Sequence, residues 1–566
     1  MTMQNLTLSP IQQQIVDSKA AIILCLAGPG SGKSTTLVAR VRRLINDGMA
    51  PGQIVTITFT NAAADVLQQR LGKEVKLGFI GTLHSFMLRM LRQHGAAIGL
   101  RRDLSVMDEE QADELLKSIV KEQKCRDSLT AIRECLTCAM TVTDKRVFSA
   151  ASQTVVNEYI RRMAFDGVVD YDGILYFALK LILKLGSAVN PMYEFQALFV
   201  DEYQDSGDAD ALIYSSLQFA QKFYVGDVNQ SIYGFRGANV RNIISLANTL
   251  KRHDYGEMFY LRENHRCADE VCTAANKMIS HARENLQMFT ASATGSAGEV
   301  RALAFANEGL EMKAMMCAIN EIPLEDEVAV LVRTNALAKL YGDYLKKSGI
   351  EIQERTEANL PADWKLTKRL IAVLANPEND RLALDFLKLT RGERYASGIY
   401  LQALGVKQSI NRYALKLPAT VPLAAIPEAL TRSSISPEAS ELVTTAITAL
   451  PDGSDVTDLS LALMRLDTGR RDAGKGVFVG TIHESKGREF HHVFLPAFEQ
   501  EIIPGVGKTR DPEEERRVAY VAITRARSSV TFSYCQRRIN PWKTREVNSA
   551  SPSLFLAEAG VRSLEL

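Results

Sequence analysis

The chain is short of several things, and each shortage excludes something. Charge of one sign is lacking: 67 Lys and Arg stand against 66 Asp and Glu, a formal net charge of +1 over 566 residues. No global basic field announces a polyanionic partner, so any nucleic-acid site has to be a local groove. Long apolar runs are lacking too. No uninterrupted stretch approaches the ~18 residues that cross a bilayer, which excludes a helical membrane span. Residues 1–10 are polar and carry no apolar signal region, so the expected compartment is the cytoplasm. The eight cysteines, at 25, 125, 135, 138, 267, 272, 317 and 535, are scattered rather than clustered as in a disulfide framework. Cys135-Leu-Thr-Cys138, with Cys125 upstream, raises the idea of a metal cluster. Against it, 131–140 reads as a helix with both thiols packed on one face, and no histidine or second pair completes zinc spacing. Low-complexity tracts and short repeats are absent.

What is present is ordinary for a soluble globular protein: 46% hydrophobic and 23% charged residues. The length suggests about three to five domains. The densest feature is Ala27-Gly28-Pro29-Gly30-Ser31-Gly32-Lys33-Ser34-Thr35, between the apolar run 20–26 and a helical pattern over 35–44. Strand, glycine-rich turn, Gly-Lys-Ser and helix make a phosphate-binding loop, with Ala27 in place of the usual first glycine. Small residues let backbone N–H groups wrap a phosphate, and the helix N-terminus adds partial positive charge. Lys33 would reach the β- and γ-phosphates, and the Ser34 hydroxyl would bind Mg²⁺. The alternative is a plain glycine-rich turn before a helix. Upstream, Ser9 and Pro10 suit a helix start that carries Gln12, whose amide matches the edge of adenine; a surface glutamine is the plainer alternative.

Downstream, strand and helix signals alternate. Residues 54–59 read as a strand, Thr60–Asp65 opens a helix, and a strand at 79–80 leads through Gly81-Thr82-Leu83-His84 into another helix. This predicts a parallel sheet with crossover helices. Residues 94–192 lose the strand signal and read as a helical insertion. The alternation resumes with 197–200, ending in Asp201-Glu202-Tyr203-Gln204-Asp205, and with 222–225, ending in Gly226-Asp227. A second alternating region starts at 258, with strands expected at 258–261, 299–305, 328–332, 477–482, 493–495 and 530–534, interrupted by a helical stretch over 358–473. Adjacent carboxylates at the end of a buried strand suit phosphoryl transfer to water. Asp201 would hold Mg²⁺ through its water shell, and Glu202 would orient and deprotonate the attacking water. A helix cap with acidic first-turn residues is the alternative.

Taken together, these segments resemble the superfamily 1A DNA helicases of the UvrD/PcrA/Rep type. Leu8–Gln12 is similar to the family's Q motif, the glycine loop to motif I, and Thr58–Asp65 and Gly81–His84 to motifs Ia and Ib. Asp201–Asp205 resembles motif II and Gly226–Ala238 motif III. Leu261-Arg-Glu-Asn-His265-Arg266 resembles motif IV, 481–490 motif V and 513–526 motif VI. They run in family order along nearly the whole chain. The resemblance implies an α/β fold of two RecA-like parallel-sheet domains, each with a mainly helical insertion. Domain 1A would take 1–93 and 193–263, 1B 94–192, 2A 264–357 and 474–566, and a short 2B 358–473.

It further implies ATP between the two sheets. Gln230 would sense the γ-phosphate, and Arg266 and Arg525 would reach it from the second domain. Gly487 and Glu489 would border the nucleotide, Glu489 at the ribose. His265 stands where a tyrosine usually stacks on adenine, and Thr35 where many relatives carry arginine. Single-stranded DNA would stack on Phe59, Tyr233 and Phe235, the last replacing a tryptophan; three aromatics near strand ends would otherwise be read as core. Thr60, Thr82, His84, Arg236 and His483 would contact phosphate or sugar. Motif Ia lacks its usual lysine, with Asn61-Ala62-Ala63 in its place. The function implied is a 3′-to-5′ single-stranded DNA translocase and DNA helicase using ATP and Mg²⁺. Its partners would be single strands, single-to-double-strand junctions and a protein of repair, replication or defence. One alternative is a motor or sensor ATPase subunit of a nuclease-associated or anti-phage complex of the Gabija type, with little unwinding of its own. Another is a binding protein with a decayed ATPase core, against which the intact set of Lys33, Asp201, Glu202, Gln230, Arg266 and Arg525 stands.

Overall fold

A computed structural model describes residues 8–565 except 73, 103, 142–145, 187–194, 254, 285, 287–288, 357–359, 407–408, 418–420, 433–434, 449, 451–454, 467–470, 474–475, 506–510, 540–545 and 549–550. The first lobe is built on six parallel strands: β1 (Ile22–Ala27), β2 (Ile54–Thr58), β3 (Phe79–Thr82), β4 (Ala197–Val200), β5 (Gln221–Gly226) and β6 (Gly256–Leu261). Their order is β3-β2-β4-β5-β1-β6. Strands β2 and β4 are buried at every position. This is why their sequences are unbroken apolar and β-branched runs rather than alternating ones. The strand expected at 258–261, where the second alternating region starts, pairs with β1 and completes the first sheet. Pairing decides membership there, because strand order in a parallel sheet does not follow chain order.

The second lobe holds β7 (Glu299–Asn307), β8 (Val328–Val332), β9 (Phe478–Thr481), β10 (Phe490–Leu495), β11 (Ala526–Ile539), β12 (Glu546–Asn548) and β13 (Ser563–Glu565). The order is β9-β8-β10-β11-β7-β13, all parallel, with β12 antiparallel on the end of β11. Each sheet carries apolar cores.

The first insertion is four helices, Glu109–Glu122, Leu129–Thr141, Ala150–Asp166 and Tyr171–Leu185. It also holds a parallel pair of two-residue strands, Ser105–Val106 and Val168–Val169, which the loss of strand signal did not anticipate. Its apolar faces join the underside of the first sheet in one core, and Cys135 packs in that core. Among the described residues no three-ligand group forms around Cys135 and Cys138. The second insertion is helical from Trp364 to Leu466, with a core of its own. Paired strands Glu354–Thr356 and Arg471–Ala473 flank it. It leans on the first insertion: Arg369 pairs with Asp108 at 3.0 Å, Lys365 with Glu110 at 2.6 Å, and Gln111 donates to Asp385 at 3.3 Å. The expected junctions at 192/193 and 357/358 lie outside the described residues, and that at 473/474 borders them. Among the described residues no helix is long and apolar enough to cross a membrane.

Candidate active site

Gln12 aside, the motifs of the first lobe sit just past the C-terminal ends of strands: the glycine loop after β1, Phe59 after β2, His84 after β3, Asp201 after β4 and Asp227 after β5, with the segment carrying Arg266 following β6. This is the edge at which open parallel sheets bind ligands. Gly30 and Gly32 have φ of +65° and +82°, the left-handed region that favours glycine. A Cβ on Gly30 would lie 2.5 Å from Asn264 Oδ1 and 2.6 Å from Arg266 Cβ, so the loop is packed directly against the segment that carries Arg266. The His265 N–H donates to the Gly30 carbonyl at 3.0 Å, while its half-exposed ring lies 3.7 Å from Glu263. Gln12 is buried. Its Oε1 accepts from Ser9 N–H at 3.0 Å and its Nε2 donates to the Ser31 carbonyl at 3.2 Å. The amide thereby braces the loop.

The catalytic candidates form one hydrogen-bonded chain. Lys33 Nζ lies 3.5 Å from Glu202 Oε2. Glu202 has φ of +52°, a strained conformation for a side chain with a Cβ and one that clusters at functional sites. Gln204 Nε2 donates to Glu202 Oε2 at 2.6 Å, and Gln204 Oε1 accepts from Asp227 N–H at 2.9 Å. Asp227 accepts from Gln230 Nε2 at 2.7 Å, and Gln230 Oε1 accepts from Arg525 Nη2 at 3.4 Å. Arg525, 2% exposed, otherwise donates only to Val521 and Arg488 carbonyls and to the Thr524 hydroxyl. No carboxylate among the described residues pairs with it, so this buried guanidinium lacks a counter-ion. Arg266 Nε pairs with Glu489 at 2.5 Å, and Arg527 binds the other Glu489 oxygen. Glu489, expected at a ribose, is thus a clamp between two arginines. Gly487 has φ of +87°.

Burial and the neighbouring Glu202 charge push the Asp201 carboxyl up. Burial also opposes charge on Glu202, but Lys33, Lys486 and the Gln204 amide outweigh it and hold Glu202 down. Arg525 is pushed down to about 10 by burial and by Arg266. Lys33 and Arg525 stand at the two ends of the hydrogen-bonded series, and Arg266 packs against Gly30 of the loop. The donor set fits a nucleoside triphosphate with a divalent cation. A buried arginine with no ion pair among the described residues and a lysine at the glycine loop suit phosphate, and the two crowded carboxylates Asp201 and Glu202 suit Mg²⁺.

Beyond this gap runs an aromatic row. The Phe59 and Tyr233 rings stack at 5.0 Å with 17° between planes, Tyr233 and Phe235 lie 6.0 Å apart, and Phe235 meets His483 edge-on at 5.4 Å. Phe59 and Phe235 are 37% and 67% exposed, so they are not core. Arg236 lies over both Tyr233 and Phe235. His483 is pushed down to about 4 by burial and then by Arg333, which leaves it neutral near pH 7. Thr60 and Thr82 cap the helices Asn61–Leu71 and Leu83–His94.

Sequence reasoning missed four members of this region. Tyr171 of the first insertion lies 5.3 Å from His84. Gln204 and Asp227 sit inside quoted motifs. Lys486 crosses from the second lobe: its Nζ donates to Asp205 Oδ2 at 2.5 Å and to the Gln230 carbonyl at 2.8 Å, 4.7 Å above the Tyr233 ring. A lone lysine before Gly487 was its only local signal.

Residues 8–251 match the family model of the UvrD/REP helicase N-terminal domain, and residues 259–399 and 446–537 match that of the UvrD-like helicase C-terminal domain. ATP-dependent DNA helicase PcrA of Staphylococcus epidermidis is 26% identical, over 97% of this chain and 85% of its own. PcrA of Bacillus subtilis gives the same three figures. ATP-dependent DNA helicase Rep of Escherichia coli is 25% identical over 97% of this chain and 94% of its own.

Proposed function

We propose, from the premise that the chain belongs to the UvrD/Rep family of ATP-dependent DNA helicases, that it is a motor moving 3′ to 5′ along single-stranded DNA and separating duplex ahead of it. The polarity comes from the family resemblance. In this reading the two sheets are the 1A and 2A motor domains, and 94–192 and 358–473 are the 1B and 2B insertions. Lys33 and the loop 27–35 cradle the phosphates. Ser34 and Asp201 hold Mg²⁺, which when bound neutralises phosphate charge. Glu202 accepts the proton of the attacking water; Gln204 orients that carboxylate. Gln230, Arg266 and Arg525 stabilise charge on the transferring phosphoryl group. Phe59, Tyr233 and Phe235 stack on bases, and stacking is indifferent to sequence. Single strands and their junctions with duplex are the DNA partners, and a protein of repair, replication or defence is the further partner.

The observation that carries this reading is Arg525, buried without a counter-ion and bonded across the seam to Gln230. The test is Glu202→Gln. ATP binding should persist while DNA-stimulated hydrolysis falls by about 10²–10⁴-fold. Near-normal turnover would remove Glu202 from the role of base.

One observation favours a second reading, a motor or sensor ATPase subunit of a nuclease-associated or defence complex. The second insertion is compact and fastened to the first through Arg369 and Lys365. A strand-separation assay on 3′-tailed duplex separates the two readings: hydrolysis without unwinding supports the subunit.

A further inference from the structure

We infer that Ile232 is an apolar pin that fastens the loop between the nucleotide and the bases to the second lobe, and is therefore a positioning residue for coupling one to the other. The inference rests on the motor reading. Residues 230–235 run from Gln230 at the phosphoryl end to Tyr233 and Phe235 in the aromatic row. They follow β5 of the first sheet and keep contacts to it, Ser231 Oγ donating to the Gln204 carbonyl at 3.0 Å and Tyr233 stacking on Phe59, yet the second lobe grips them as well. Arg517 Nε donates to the Ser231 carbonyl at 2.7 Å, Lys486 Nζ to the Gln230 carbonyl at 2.8 Å, and the Gly234 N–H to Glu514 Oε1 at 2.8 Å. The Ile232 carbonyl accepts from the His483 imidazole. The Ile232 side chain, 0% exposed, belongs to the apolar core of the second lobe. Every other buried member of that core among the described residues lies at Cys267 or beyond. The loop is first lobe by chain and bonded to both lobes, but its one side chain in an apolar core lies in that of the second.

The polar stitches and the pin differ in what they resist. A hydrogen bond at a seam can be exchanged for water as the lobes part. A buried branched alkyl group cannot, because withdrawing it exposes its surface and leaves a cavity behind. When the second lobe shifts, Ile232 draws the loop with it. Gln230 and Tyr233, two residues before and one after, then move together. DNA on the rings and the phosphoryl group beside Gln230 thereby report on each other through one side chain that touches neither.

The experiment compares the full-length parent with Ile232→Ala and Ile232→Val. It measures hydrolysis with and without oligo-dT, oligo-dT affinity by anisotropy, and thermal melting. The expected result for Ile232→Ala is basal turnover and oligo-dT affinity within about twofold of the parent, with DNA stimulation lowered about tenfold. Ile232→Val, which removes one methyl group, should show a smaller drop of about twofold. Parental stimulation in both variants would overturn the pin and leave the motor intact. So would a loss of basal turnover that matches the loss of stimulation in variants that melt like the parent. Should Ile232→Ala not fold, Ile232→Val decides alone, a partial drop supporting the pin and unchanged stimulation overturning it. No stimulation by DNA in the parent would overturn the motor reading, and the pin with it.

Discussion

The two ends of the seam are built from opposite materials. At the phosphoryl end Gln204, Asp227, Gln230 and Arg525 are all buried and joined by hydrogen bonds that run in series from Glu202 to the second lobe, while buried Asp201 accepts from the Glu202 N–H. At the other end Phe59 and Phe235 are exposed in part, Phe59 with one face on Tyr233 and Phe235 beside Arg236, and Tyr233 is half-buried between them. Buried polar groups have to be paired, so their positions are tightly specified and a lost partner is expensive. Ring faces accept any base, because every base has a π face. One end therefore enforces a single geometry for chemistry, and the other tolerates a changing polymer. Lys486 touches both, bonded to Asp205 and poised over Tyr233.

That contrast can be broken from either side. The largest effect should come from Arg525→Ala. DNA-stimulated kcat should fall by about 10³-fold, since an arginine supplied to the transferring phosphoryl group is worth that order, while affinity for oligo-dT stays near the parent. Steady-state phosphate release and anisotropy on one preparation check both halves; equal losses in both would erase the distinction between the ends. Phe235→Ala should act in the opposite sense. Affinity for single-stranded DNA should weaken by about 1–3 kcal/mol, with the KM for ATP unchanged in the absence of DNA.

The smallest effect is in pH. The folded Asp201 carboxyl is raised above its ordinary value by burial and Glu202. It therefore retains a proton over a range in which a free aspartate would have lost it. Protons then compete with Mg²⁺, and the Mg²⁺ concentration giving half-maximal hydrolysis should rise as pH falls from 8 to 6. His483, pushed down to about 4, stays neutral across that interval. Oligo-dT binding should accordingly be alike for the parent and His483→Gln at both ends of the range. A pH dependence in the DNA arm that His483→Gln abolishes would show that this imidazole titrates at the seam.

Much of the site was legible because its signals are local. The glycine loop needs left-handed backbone at Gly30 and Gly32, and that need is written into consecutive residues. The Asp201-Glu202 pair announces itself at the end of an apolar run. The three aromatics were placed by resemblance, and their exposure then separated them from core. Less legible was the brace that Gln12 makes from Ser9 to Ser31. The strand at Gly256–Leu261 stands where a second alternating region is expected to start, yet parallel pairing joins it to β1 far earlier in the chain. The contact between the two insertions had no sequence signal: Arg369 and Asp108 are 261 residues apart.

By itself the sequence determined the repertoire: a phosphate cradle, paired carboxylates, basic residues for a phosphoryl group, and the helical and strand segments that carry them. Each of these depends on residues close together in the chain, where backbone conformation and side-chain type suffice. Only the tertiary structure decided which groups meet. Gln230 finds Arg525 across 295 residues, Asp205 finds Lys486 across 281, and Ile232 leaves its own lobe for the core of the other. Those meetings are set by how the loops past the strands of one lobe pack on the other lobe, a property of the whole fold that no local stretch encodes.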